Sequence, residues 1–400
     1  MPRYELEGEP WQIEQIGKQL EITSGGKTSV RTFVTPEQAA AQLARLTEQH
    51  VGLGYVPIAR DPRHPELELA IANDPESPAS YSVFADWLQS QGDPRGNVMA
   101  IAIAAEARGD DDGKTFAKEL KKNFHDLLGP LAALAAPERG AREGDPDVFA
   151  WRFGVIHGAY LHADRQKPID LALDQILRHA SGRFLVELTL VQNERIQDAI
   201  DVLARRAPAS LRGLRLWAVS NGNLAELWPA LPRLRRLALS GHALALGRLE
   251  LAELERLELV DSQMPAASGR ALLQAPFPVL EQLRLDFGSG YTTGDASIDD
   301  IFALLARRDL PALHQLALVR TRYIRELVIE LAQSPLARQL EQLDLSHNQM
   351  TDDNAIELAR RRASFPRLAN LDVSGNRLTR RGLDALAEPF PALRSVRQEP

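Results

Sequence analysis

The sequence predicts an α/β chain whose second half is a solenoid curved into a horseshoe, and three observations carry that expectation. First, the phrase Leu-x-x-Leu-x-Leu recurs, as Leu185/Leu188/Leu190, Leu211/Leu214/Leu216, Leu234/Leu237/Leu239 and Leu254/Leu257/Leu259. It continues as Leu280/Leu283/Leu285, Leu313/Leu316/Leu318, Leu340/Leu343/Leu345 and Leu368/Leu371/Val373, with a worn copy at Leu393-x-x-Val396. Second, the start-to-start spacings are 26, 23, 20, 26, 33, 27, 28 and 25 residues, the period of stacked strand–helix units apart from one long outlier. Third, five units stop on Pro-x-Leu, at Pro232, Pro278, Pro311, Pro366 and Pro391. Proline cannot continue a helix and biases its predecessor toward extended structure.

Four hundred residues exceed what one compact core holds, and two smaller domains are expected before the repeats. Residues 1–60 read as a small α+β domain. Tyr4-Glu5-Leu6, Trp11-Gln12-Ile13 and Leu20-Glu21-Ile22 alternate as strands do, Gly25-Gly26 makes a turn, and Val30 to Val34 forms a further strand. Thr35 caps a helix, with Pro36 at its first position and Gln38 completing a capping box. Trp11, the phrase Arg31-Thr32-Phe33-x-Thr35-Pro36-Glu37 and Gly54-Tyr55 resemble the Trp-Gly-Arg (WGR) domain of poly(ADP-ribose) polymerases and scattered bacterial proteins. Where that family has Trp-Gly-Arg, this chain has Thr23-Ser24-Gly25. The resemblance therefore implies the fold but not the binding of DNA ends, which needs cationic contacts to phosphate.

Residues 61–182 are expected to be mainly helical. His64-Pro65 opens a helix and Asn73-Asp74-Pro75 ends it; Ser80 to Gln91 forms a second, stopped by Gly92-Asp93-Pro94. Phe84-Ala85-Asp86-Trp87-Leu88, Gly92-Asp93-Pro94-Arg95-Gly96 and Trp151-Arg152-Phe153-Gly154-Val155 resemble a bacterial repeat-companion domain that stands upstream of leucine-rich repeats. That resemblance implies an architecture and a bacterial source, and no chemistry. Asp86 is expected to anchor the Gly92–Arg95 turn through Arg95. A hairpin from Phe149 to His162 would lead into the repeats, and a solenoid end needs such a cap.

Residues 183–400 hold the repeats. Leucines at the fourth and sixth positions of the phrase alternate as in a short strand, both pointing inward. Helical spacing follows at Ile356, Leu358 and Ala359, and at Leu383 and Leu386. The copies at Leu340 and Leu368 resemble the ribonuclease-inhibitor class of leucine-rich repeats. That likeness implies that Asn348 and Asn376, at the ninth position, satisfy backbone groups in the bend after the strand. Asn193 holds the same place in the first unit, and Gly382 stands at the family's helix-entry glycine, where the neighbouring unit has Asn354.

Composition closes several routes. The net charge of −7 argues against a general nucleic-acid coat. Cysteine is absent, which removes disulfides, thiolate metal sites and a cysteine nucleophile. The N-terminus, Met1-Pro2-Arg3-Tyr4-Glu5, lacks the apolar core of a signal peptide, and Val98 to Ala105 is too short to span a bilayer. A cytoplasmic protein with no membrane contact is expected.

No catalytic constellation emerges, and an enzyme is not expected. Gly109-Asp110-Asp111-Asp112-Gly113-Lys114-Thr115 is one residue short of a phosphate-binding loop, and its aspartates would repel phosphate. Gly25-Gly26-Lys27-Thr28 lies between strands and reads as a hairpin turn. His157 and His162, five apart on an extended segment that leads to Asp164, point to opposite faces and do not suggest a metal site. No cofactor is expected.

What remains is the face formed by residues that alternate with the buried leucines. It carries Arg215, Trp217, Arg236, Arg256, Glu258, Gln282, Arg284 and Asp286, then Gln315, Val319, Gln342, Asp344, Asn370 and Asp372. Arginine and tryptophan are enriched at interface hot spots. The long unit places Phe287 to Asp295, with Tyr291 at its middle, in a glycine-rich loop directly after a strand. The expected binding residues are therefore Arg215, Trp217, Arg236, Arg256, Arg284, Asp286 and Tyr291. The expected function is a non-catalytic protein–protein interaction platform or adaptor whose partner, a protein with acidic groups, docks on the concave face. The alternative is a nucleic-acid-associated protein using the WGR-like module or the arginine stripe.

Overall fold

The computed structural model describes residues 3–6, 9–25, 27–53, 56–58, 62–109, 114–122, 127–135, 148–163, 168–220, 222–261, 263–288, 298–321, 323–396 and 398. The chain divides into two compact units. One comprises residues 1–137, 151–155 and 179–181; the other comprises 138–150, 156–178 and 182–400.

The first unit opens with an antiparallel sheet: β1 (Arg3–Leu6), β2 (Glu9–Ile16), β3 (Gln19–Ser24), β4 (Lys27–Thr32) and β5 (Val56–Ile58), in the order β4-β3-β2-β1-β5. β3 and β4 meet at the expected turn, where Ser24 pairs with Lys27 and Gly25 takes φ +54°. That left-handed conformation suits a two-residue hairpin. Helix α1 (Pro36–Gly52) follows. Thr35 Oγ1 accepts from Gln38 N, and Gln38 Oε1 reaches back to Val34 N, each at 3.3 Å. Its apolar stripe closes a small core in which Trp11, Ile13, Leu20 and Ala39 are buried, with Leu43 and Leu46 against them. Trp11 stacks on His50 with ring centroids 3.7 Å apart.

Helices α2 (Pro65–Asn73), α3 (Pro78–Ser90), α4 (Pro94–Ala107), α5 (Lys114–Lys122) and α6 (Ala132–Ala135) follow. Each residue of Gly92-Asp93-Pro94-Arg95-Gly96 has a mechanical reason. Gly92 takes φ +69° to end α3. Asp93 caps α4 by accepting from Arg95 N at 2.9 Å, and its buried carboxylate also grips the Arg95 guanidinium at 2.7 Å. Pro94 fills the first helical position. Gly96 lets the helices close, since a Cβ there would lie 2.6 Å from the Ala85 carbonyl oxygen. The expected role of Asp86 is thereby corrected: Asp86 is exposed, and Asp93 holds Arg95. A carboxylate two residues away closes a local turn that one on the previous helix need not reach. Phe153 packs on Tyr81 at 4.7 Å, and Arg152 pairs with Glu76 and Glu106.

In the second unit a parallel sheet runs in chain order from β7 (Val155–His162) through β8 (Glu187–Arg195), β9 (Gly213–Ser220), β10 (Arg236–Gly241) and β11 (Arg256–Asp261). It continues through β12 (Gln282–Asp286), β13 (Gln315–Val319), β14 (Gln342–Asp344), β15 (Asn370–Asp372) and β16 (Ala392–Arg394), with β6 (Phe149–Arg152) beside β7. Helices α7 (Ile169–Arg178) and α8 (Gln197–Arg206) cross over early. Later crossovers are α9 (Ala266–Gln274), α10 (Ile298–Leu305), α11 (Ile324–Gln333), α12 (Asp352–Arg360) and α13 (Arg380–Ala387). The repeating architecture therefore starts at β7 and α7, ahead of the first leucine phrase. The leucines of every phrase from Leu185 to Leu371 are buried, each stabilising the stack by about 2 kcal/mol.

The two short units lack room for a full helix. The unit at Leu211 keeps a single 3-10 turn, Trp228–Ala230, and the unit at Leu234 crosses over through an extended loop. Trp228 fills the space instead; it is buried, and its indole N–H donates to the Leu246 carbonyl at 2.6 Å.

Candidate binding face

The bends after the strands are held by buried polar side chains. Asn376 accepts from Asn348 N and Met350 N, each at 2.9 Å, and donates to the carbonyls of Leu345 and Val373 at 3.0 and 2.8 Å. Asn348 accepts from Thr321 N at 2.6 Å and donates to Leu318 O at 2.7 Å. In the unit at Leu254 the work falls to Asp261, one position earlier. It is 1% exposed and accepts from the N–H groups of Ala243, Leu244 and Gln263 at 2.8–3.0 Å. Beyond β16, Gln398 accepts from Leu378 N and donates to Val373 O, which extends the ladder by one step. These ties fix the strand ends, and hence the register of the side chains between them.

That register sorts the outward side chains into rows. One row holds Glu187, Gly213, Arg236, Arg256, Gln282, Gln315, Gln342 and Asn370 on consecutive strands. Two residues further along, Thr189, Arg215, Ala238, Glu258, Arg284, Ala317, Asp344 and Asp372 form the second. Val191, Trp217, Ser240, Val260 and Asp286 form the third. The rows line a groove of about 760 Å³ that runs from Glu187 to Arg394, so this face is concave.

Most charges on the face are already matched. Arg236 pairs with Glu187. Arg284 lies 2.8 Å from Asp344, 3.4 Å from Asp286 and 3.6 Å from Glu258. Arg394 lies 3.4 Å from Asp372. Asp344 and Asp372 each also accept a backbone N–H two residues on, from Ser346 and Ser374, at 2.8 Å. Arg215 and Arg256 differ. Both are exposed, and neither has a carboxylate partner among the described residues. Arg215 lies over the Trp217 ring, 5.5 Å from its centroid, and that ring remains 46% exposed. On β10 the second row carries only the small side chain of Ala238, and the Glu187 carboxylate covers Gly213. A Cβ on Gly213 would collide with the Glu187 carboxylate.

Five of the expected residues, Arg215, Trp217, Arg236, Arg256 and Arg284, thus line one face. Asp286 departs from the expected solvent-facing carboxylate, being 3% exposed. Arg320, from the end of β13 at φ +58°, clamps it with two nitrogens, one at 2.7 Å, and Asp286 also accepts from Gly288 N. Its role is to tie adjacent repeats. Arg320 gave no signal in the sequence, because its partner lies 34 residues away. Tyr291 falls outside the described residues, as do Asp110 to Gly113, Gly54-Tyr55 and Asp164. The side chain of Asn193 is likewise not described.

Other chemistry is sparse. Among the described residues no group of three or more His, Asp or Glu is placed to hold a metal ion, and no helix is long and apolar enough to cross a membrane. Two carboxyls in the repeat unit are held below their ordinary range, and neither lies on a strand. The Arg307 guanidinium does this to Asp309, and the Thr379 hydroxyl and N–H do it to Asp352.

Comparison with known proteins agrees with the repeat. Residues 338–359 match the Leucine Rich repeat family. No curated protein matches the chain in sequence. A Bacteroides fragilis protein solved by the Northeast Structural Genomics Consortium is similar in fold: TM-score 0.52, 17% identity, covering 100% of this chain and 98% of that one. TLR13, solved with ssRNA13, aligns with 54% of this chain and 36% of its own, at 16% identity and a TM-score of 0.31.

Proposed function

We propose that this leucine-rich-repeat chain is a non-catalytic adaptor that binds a protein partner on the concave strand face, anchored at Trp217 with Arg215, Arg236 and Arg256. One observation carries the reading. On a face where Arg236, Arg284 and Arg394 all have carboxylate partners, Arg215 and Arg256 have none among the described residues, and Arg215 lies over a half-exposed indole. Arginine forks match carboxylates geometrically, and an indole adds apolar area at low entropic cost. A water-exposed arrangement of this kind contributes little to the fold, because a surface cation–π contact is worth about 0.5–1 kcal/mol. The adaptor reading also fits a groove whose walls are side chains on strands held rigid by buried ladders.

Photo-crosslinking in the native host tests this. A photoreactive residue at position Ala238 should capture a partner protein that the same residue at position Arg360, on the outer helix α12, does not capture. Capture of the same protein from position Arg360 alone would place the binding surface on the helices and overturn the reading.

A further inference from the structure

The row through Arg236 and Arg256 continues without a break into Gln282, Gln315, Gln342 and Asn370. We infer that this row is a track for an extended peptide that carries a carboxylate side chain at its Arg256 end and uncharged residues along the amides. The inference rests on the concave-face reading and adds the chemistry and the orientation of the ligand.

Three features set the ligand. Length comes first. Adjacent strands lie about 4.8 Å apart, so Arg256 and Asn370, four strands apart, are separated by about 19 Å, which roughly six residues of extended chain span. Hydrogen bonding comes second. The side-chain amides of Gln282, Gln342 and Asn370 make no hydrogen bond among the described residues, and the Gln315 amide reaches only its neighbour His314, at 3.3 Å. Each amide offers both a donor and an acceptor, as each peptide unit of a ligand does. Charge comes third. Asp344 is occupied by Arg284 and Ser346, and Asp372 by Arg394 and Ser374. A charged ligand group over β13–β15 would find no unmatched counter-charge among the described residues, whereas at β9–β11 Arg215 and Arg256 have no carboxylate partner, and the neighbouring Glu258 pairs with Arg284. A carboxylate fits there. A basic peptide would meet like charge, and a polyanion would find cations at one end only, whereas nucleic acid needs them along its length.

The test uses the full chain and a random ten-residue peptide library displayed on phage. Enriched peptides should share an Asp or Glu at one end, followed by uncharged residues. A synthetic copy should bind at least tenfold more weakly to Arg215→Ala/Arg256→Ala, and likewise to Gln282→Ala/Gln342→Ala/Asn370→Ala. Replacing its acid by the matching amide should weaken binding to the wild type but cost nothing further in the arginine variant; this control alters no residue of the protein. A library that enriches nothing, or a consensus that is basic or uniformly acidic, overturns the track. Peptides lost with Trp217→Ala but retained by the amide variant would leave the concave face as the site and refute the track alone. Peptides retained by every concave-face variant would refute both.

Discussion

Asn376 holds backbone groups of adjacent repeats with one amide, whereas Asn370, six residues earlier, presents its amide to solvent. The two should therefore behave oppositely. Asn376→Ala strips partners from two buried N–H groups and two carbonyls; each group left unsatisfied costs about 1–3 kcal/mol. Calorimetric melting should show the midpoint falling by several degrees, with Asn370→Ala unchanged. Asp352 gives a second test. Its carboxyl is held below the ordinary 3.8 mainly by the Thr379 hydroxyl. A group depressed in the folded state contributes stability that is present above its unfolded value and lost as pH falls through the folded value. Its NMR titration should therefore finish below the usual carboxylate range, and Thr379→Val should move it upward; an unmoved midpoint would contradict the assignment. At this scale legibility was uneven. Asn348 and Asn376 were readable through the resemblance to ribonuclease-inhibitor-type repeats, which implies an asparagine at the ninth position. Asp261 was not, because it does the same work from the eighth, and Asp286 was misjudged because alternation gives a side chain's face and not the arginine that covers it.

Helix α4 approaches α3 so closely at Gly96 that one methyl group decides the packing. Gly96→Ala would place a Cβ 2.6 Å from the Ala85 carbonyl oxygen, and overpacking of this kind costs about 1–3 kcal/mol. Urea titration of the full chain followed by tryptophan fluorescence should show the transition of the first unit moving to lower denaturant. A variant as stable as the wild type would mean that the helices separate at little cost. The sequence marked this corner as a turn, yet Gly96 came without a reason, since a close approach between helices has no signature in spacing. Among the repeats, the strands were legible from the leucines, and α12 and α13 from helical spacing. The short units at Leu211 and Leu234 showed only as spacings of 23 and 20 residues; that Trp228 takes the place of a helix depends on packing with the next unit.

Over the whole molecule, the leucine period revealed the solenoid, but its beginning was obscured. β7 and α7 carry no leucine phrase, so the sequence placed them with the helical residues before Gly182, whereas they belong to the second unit. The charge of the chain bears on the rival reading. With a net −7 and, among the described residues, only Arg215 and Arg256 unmatched on the face, the full chain should not retain 5′-phosphorylated DNA ends at physiological salt. Salt-sensitive, end-dependent binding in a mobility-shift assay would favour the nucleic-acid alternative. The central claim, that a protein partner docks on the concave face, is tested most directly by calorimetric titration of the partner recovered by crosslinking. Trp217→Ala should weaken its binding by roughly 2 kcal/mol or more, as truncation of a hot-spot tryptophan does, while Arg360→Ala on the outer helix should leave the affinity unchanged. Equal affinities for wild type and Trp217→Ala, with both proteins folded, would contradict the account.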